Sequence, residues 1–190
     1  MVVFAGGSHV GLKKFFGRDK EPEEYREHRL ADMETGFLVD HDMKTWEVRA
    51  ISSYDYDGYP PKEWDLHSAN EVGFLEQSVE DGQAEWTLTT RIELNEIEED
   101  VVAETLANDD PPKEIHFDGT VYKADEMSTG IQIQSENESE REFVNWSYES
   151  DDGRVLFVNQ WGEREFTTYE GSYVEEYQFT DILPPGSGDS

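Results

Sequence analysis

The sequence has 190 residues, enough for one domain with a sizeable core, and its 45 Asp and Glu against 15 Lys and Arg give a formal net charge of −30. Such a chain repels nucleic acid and anionic membranes, and without cysteine it builds neither a disulfide nor a thiolate metal site, which points to a reducing, cytoplasmic compartment. No apolar run approaches the roughly 20 residues that span a bilayer, the N-terminal residues do not read as a secretory signal, and 13% aromatic residues argue against a disordered acidic chain.

The leader, residues 1–29, differs from the rest. Residues 1–30 carry six bases against five acids, a net of +1, so the remainder carries −31. Leu12, Phe15 and Phe16 fall at i, i+3 and i+4 with Lys13 and Lys14 between them, the spacing of a short amphipathic helix ending at Gly17. One reading makes Leu12, Lys13, Lys14, Phe15 and Phe16 a peripheral membrane or partner contact. The plainer one is a frayed terminus.

From Leu30 the pattern turns to strands. Residues 36–39 are a first strand, Asp40-His41-Asp42 a turn, and Thr45 to Ile51 alternate large and polar side chains as a half-buried strand does. Tyr54 to Pro61 reads as a loop, followed by strands at 62–68, 72–79 and 86–92, with a turn at Glu80-Asp81-Gly82. Ile97, Val101, Val102 and Leu106 lie on one face of a connector helix within 96–113, capped by Asn95 and stopped by Asn108 to Pro112. Short strands at 115–117 and 121–123 flank Asp118-Gly119, another covers 130–134, and 135–140 is a hairpin tip. The densest patterning runs from Val144 to Gly171, a meander with turns at 151–153 and 161–163. A strand at 173–179 and a flexible tail, 184–190, close the chain.

These elements predict an all-β, mainly antiparallel domain over 30–183. Two similar halves, about 30–95 and 114–183, form a sandwich or partly closed barrel, with the short N-terminal helix and the connector helix as additions. The likeness of the halves rests on Trp46 with Tyr122, Trp64 with Trp146, and Trp86 with Phe166, each set in comparable surroundings.

Thr45-Trp46-Glu47-Val48, Glu63-Trp64-Asp65-Leu66, Trp86-Thr87-Leu88, Phe117 to Tyr122, Trp146-Ser147-Tyr148 and Tyr169-Glu170-Gly171 together resemble the domain-of-unknown-function family 4178 over about residues 30–183. The resemblance implies a small soluble prokaryotic protein without an assigned activity, and a link to envelope stress or to polyamine physiology; it carries over no catalytic residue. The acid-rich, lysine-poor composition also resembles proteins of halophilic archaea, whose dense carboxylates hold water and cations where salt shortens the Debye length to about 3 Å.

Catalytic spacings are absent. There is no HExxH, phosphate loop or GxSxG elbow, and His9, His28, His41, His67 and His116 are never paired at ligand spacing, so neither a metal nor a cofactor is expected. Asp55-Tyr56-Asp57-Gly58 resembles a calcium loop but lacks the later ligands. Acid pairs such as Glu63 beside Trp64 or Glu163 beside Trp161 look no different from a solvated acidic surface. Trp46, Trp64, Trp86 and Trp146 read as core, while Trp161 at its expected turn is free to stack. Trp161, Trp64, Trp146 and Tyr169 are the candidate ligand or partner contacts. The function expected is a non-enzymatic binding or adaptor module for an unknown protein partner, an envelope-stress protein among the candidates. The alternatives are a ligand-binding barrel with an aromatic-lined cavity and a small hydrolase using buried carboxylates.

Overall fold

The computed structural model describes residues 28–186 except 57–59, 81 and 136. The N-terminal helix expected at residues 12–16, with its proposed contacts, lies outside them. Among the described residues eleven antiparallel strands form one sheet: β1 (Leu38–His41), β2 (Lys44–Asp55), β3 (Lys62–Ser68), β4 (Glu71–Glu80), β5 (Gln83–Ile92), β6 (Glu114–Phe117), β7 (Thr120–Gln134), β8 (Ser139–Ser150), β9 (Arg154–Gly162), β10 (Glu165–Val174) and β11 (Thr180–Leu183). The order is β11-β1-β2-β3-β4-β5-β10-β9-β8-β7-β6, and β2 also pairs with β7. That last pairing joins β2 through β5 to β10 through β7 in a closed eight-stranded barrel, leaving β1, β11 and β6 outside the ring. The fold is all-β, as the alternation predicts, and the barrel is fully closed rather than partly open.

The two halves run in the same order: a short strand, a tight turn, a long strand, then three further strands. The turns use residues that accept positive φ, Asp42 and Met43 in one half and Asp118 and Gly119 in the other. Asp40 and His41 consequently lie in β1, and the turn falls two residues beyond the expected place. Each long strand carries a bulge, one extra residue between Val48 and Ala50 on β2 and another between Ala124 and Met127 on β7. A bulge reverses which face the following side chains occupy. Trp46 and Val48 therefore pack outside the barrel, whereas Ser52 and Tyr54, of the same parity, point inward. β2 continues through Tyr54 and Asp55, which the sequence placed in a loop, and 121–134 is one bulged strand rather than two.

The apolar cores lie on the outer face of the ring. On one side Leu30, in a 3-10 turn at Leu30–Asp32, joins Met33, Val39 and Phe179 over Trp46, Trp64, Leu66, Leu75 and Trp86. On the other, α1 (Val101–Asn108) and β6 bring Ile97, Val101 and Ile115 over Tyr122, Trp146, Tyr148, Leu156 and Phe166. The connector helix starts at Val101, capped by Asp100, whose Oδ1 accepts from the Ala103 amide at 3.0 Å; the expected cap, Asn95, sits in a 3-10 turn at Leu94–Glu96. The expected strand at 173–179 is instead the end of β10, a 3-10 turn at Glu176–Gln178, and then β11. No described helix is long and apolar enough to cross a membrane.

Candidate functional site

With both apolar clusters outside, the inward faces of the strands are mainly polar, and they enclose a cavity of about 430 Å³. Glu63 on β3 stands directly across from Glu76 on β4, and both line it. The Tyr54 hydroxyl donates to Glu63 Oε1 at 2.7 Å and accepts from Gln132 Nε2 at 3.0 Å. No described residue donates a hydrogen bond to the Glu76 carboxylate, whose remaining accessible surface faces the cavity. Burial pushes Glu63 up to about 8, with the charge of Glu76 adding to the effect and the Tyr54 hydroxyl opposing it. Burial alone pushes Glu76 up to about 7. Two carboxyl groups side by side and withdrawn from bulk solvent cannot both ionise readily, so near neutral pH the pair retains a proton.

Around this pair are Thr87, Thr89, Ser147, Asn145 and Asn159, with Asn145 Nδ2 donating to Asn159 Oδ1 at 2.6 Å, and the rings of Tyr169 and Phe157. Tyr56 and Tyr54 are held far above the usual phenol range by burial, so both remain neutral donors. Toward one end the exposed Glu85, Asp125, Glu126 and Glu149 ring the lining, and Tyr173 donates to Glu149 Oε1 at 2.9 Å. Toward the other, an aromatic cluster closes the barrel: Tyr54 and Tyr56 each meet Phe143 edge to face at 5.6 Å, and Phe143 stacks on Trp161 at 4.8 Å between ring centroids. Gly130 permits this plug, because a Cβ there would lie 3.0 Å from the Tyr56 ring and from the Asp55 carbonyl oxygen.

The four contact candidates separate. Tyr169 lines the cavity, meeting Phe74 edge to face at 5.1 Å. Trp161 belongs to β9 and not to a turn; it stacks on Phe143, donates from Nε1 to Thr167 Oγ1 at 2.8 Å and lies under Arg141, half-buried beside a second, outer depression. Trp64 and Trp146 face away from the cavity. Trp64 is fully buried with its Nε1 donating to the Met33 carbonyl at 3.0 Å, and Trp146 is buried in the other outer cluster. Sequence reasoning named Glu63 as one acid among many and overlooked Glu76, Tyr54, Asn145 and Asn159. The available signal was alternation itself, since Glu63 and Asp65 interleave with the core residues Trp64 and Leu66. Among the described residues no group of three or more His, Asp or Glu is placed to hold a metal ion.

A closed antiparallel barrel that keeps its apolar cores outside and a carboxylate-lined chamber within is the class this geometry defines. The chain belongs to the family described as domain of unknown function DUF4178, whose model matches residues 34–176. It is 28% identical over 175 residues to an uncharacterized protein of Aquifex aeolicus (strain VF5), a match that spans 91% of this chain and 96% of that one. No solved structure matches it.

Proposed function

We propose that this protein is a binding barrel that takes one small polar molecule into its interior. The observation that carries this reading is the inversion of the usual layout. Eight-stranded barrels either fill their interior with side chains or hold one small ligand. Here the two large apolar clusters pack outside, and the volume of the chamber lies within the roughly 300–1,000 Å³ of small-molecule sites. Enclosing polar groups that lack protein partners costs stability, and a ligand that hydrogen-bonds to them would recover it. Native mass spectrometry of the protein isolated from its own cells tests the idea, with Thr87→Phe filling the chamber. Retention of a small molecule by the natural protein and not by the folded variant is expected; equal retention by both, or none by either, would overturn the reading.

The raised carboxyl pair also favours a second reading, acid-base hydrolysis of the captured molecule. Conversion of the retained compound on incubation would distinguish that from simple binding. The adaptor reading depends on the leader, and deleting residues 1–20 tests it: unchanged partner and liposome binding at molar salt would remove it. The matched order of the two halves supports an origin by duplication; if that is right, one rotation superposing the halves exchanges the β5–β10 seam end for end with itself and does the same for β2–β7. The −30 charge supports a protein suited to the cytoplasm of a salt-accumulating cell.

A further inference from the structure

The geometry points to a small organic ammonium ion as the ligand, its charged nitrogen seated between Glu63 and Glu76 and its carbon chain against the ring faces of Tyr169 and Phe157. This rests on the binding-barrel reading and adds the chemical class of what is bound. Three independent features converge. The chamber lining includes six carboxyl groups and no Lys, Arg or His, so an anion would find no counter-charge. The Glu76 carboxylate is enclosed, faces the chamber and receives no hydrogen bond from any described residue, leaving an acceptor that an N–H donor would satisfy. The rings of Tyr169 and Phe157 line the same chamber, and aromatic rings attract cations stripped of water.

A bare metal ion fits less well. Hard cations ask for about six oxygen ligands at short range, whereas two carboxylates and a phenol converge at this pair, and the space is far larger than an ion. A primary ammonium group presents three donors, which matches two carboxylates with acceptor positions to spare.

Capture is proton-linked. Asp65 on β3, Tyr54 from β2, Tyr56 just beyond it and Tyr169 from β10 also act on the pair, and Arg91 on β5 acts on Tyr169. All but Arg91 are neutral or acidic, so none supplies a positive charge next to the pair itself. When an ammonium arrives, the carboxyl O–H of the pair breaks, its proton passes to solvent, and the two carboxylates share the incoming charge. Near neutral pH each captured cation is therefore exchanged for part of a proton or a whole one.

Calorimetry at pH 7 in molar KCl with n-butylammonium, tetramethylammonium, n-butanol and butyrate tests this, repeated in phosphate and in the bulky zwitterionic buffer MOPS to read the proton released. Binding of n-butylammonium ahead of tetramethylammonium, with neither butanol nor butyrate taken up and with heats that differ between the buffers, is expected. Glu76→Gln, folded by tryptophan fluorescence, is expected to weaken n-butylammonium roughly tenfold or more and to change the buffer difference, while the exposed Glu104→Gln changes neither. Butanol or butyrate binding in place of the ammonium overturns the charge class and leaves the binding barrel standing. Equal weakening by Glu104→Gln reduces the effect to surface charge and overturns the proposal. No uptake of any probe, together with no retained molecule in the mass spectrum, removes both readings.

Discussion

Glu63 and Glu76 are opposed on neighbouring strands, an arrangement that destabilises any sheet unless something offsets it. Their folded pKa values, about 8 and about 7, lie above the usual carboxylate value of about 4.3. Between roughly pH 4.3 and pH 8 the folded state then holds more protons than the unfolded one, so stability contributed by these groups falls as pH rises through that window. Glu76→Gln is expected to be more stable than the natural protein by about 1–3 kcal/mol at pH 8 and nearly equal to it at pH 5. Thermal melts at the two pH values decide the matter, and a variant that is weaker at pH 8 would refute the strain. Gly171, where β10 meets β5, offers a contrasting case. A Cβ there would fall 2.0 Å from the Leu88 carbonyl oxygen, so Gly171→Ala is expected to cost about 3 kcal/mol or more, or to prevent closure, as read by denaturant unfolding. Glu76 did not stand out in the sequence. With 45 acids in the chain, an inward Glu has no local mark that separates it from an outward one; only closure of the ring decides which side of the alternation is enclosed.

At the scale of elements, strand existence was legible and strand extent was not. The Asp-Gly turns at 118–119 and around Gly153 announce themselves by residues that accept positive φ, and the structure places turns at both. Bulges leave no such mark. The parity of Trp46, Val48, Ser52 and Tyr54 is unbroken, and the change of face between Val48 and Ser52 comes from one inserted position, Arg49, which forms an exposed ion pair with Glu47 on the same strand at 2.8 Å. Deleting Arg49 is therefore expected to force either Trp46 into the chamber or Tyr54 into the outer cluster, with loss of cooperative unfolding. Arg49→Ala, which keeps the spacing, is expected to change stability by less than about 0.5 kcal/mol. Urea melts of both variants test the assignment, and a cooperative, near-native deletion variant would contradict it. The helix start was missed by five residues because Asn95 and Asp100 are both good caps, and Asn95 is spent in a 3-10 turn that ties the end of β5 to α1. The connector is further fixed to β6 by Glu99, which accepts from the His116 amide at 2.8 Å and lies 2.6 Å from its ring Nδ1.

For the molecule as a whole, composition gave the class and withheld the chamber. Regular alternation with turn residues between runs made an all-β chain readable, whereas the pairing of β2 with β7 joins residues nearly eighty positions apart and has no local signature. The charge of −30 predicts self-repulsion that salt relieves: raising KCl from about 0.1 M to about 2 M shortens the screening length several-fold and is expected to raise the melting temperature by several degrees. A melting temperature that is flat or falling across that range would contradict it. The two seams also bear on how the chain is made. During synthesis β2 and β5 leave the ribosome long before β7 and β10, their partners in the ring, so the nascent first half waits with both flanks unsatisfied. Over that interval its mutually repelling acidic side chains are what keep one unfinished copy from adding strands to the next.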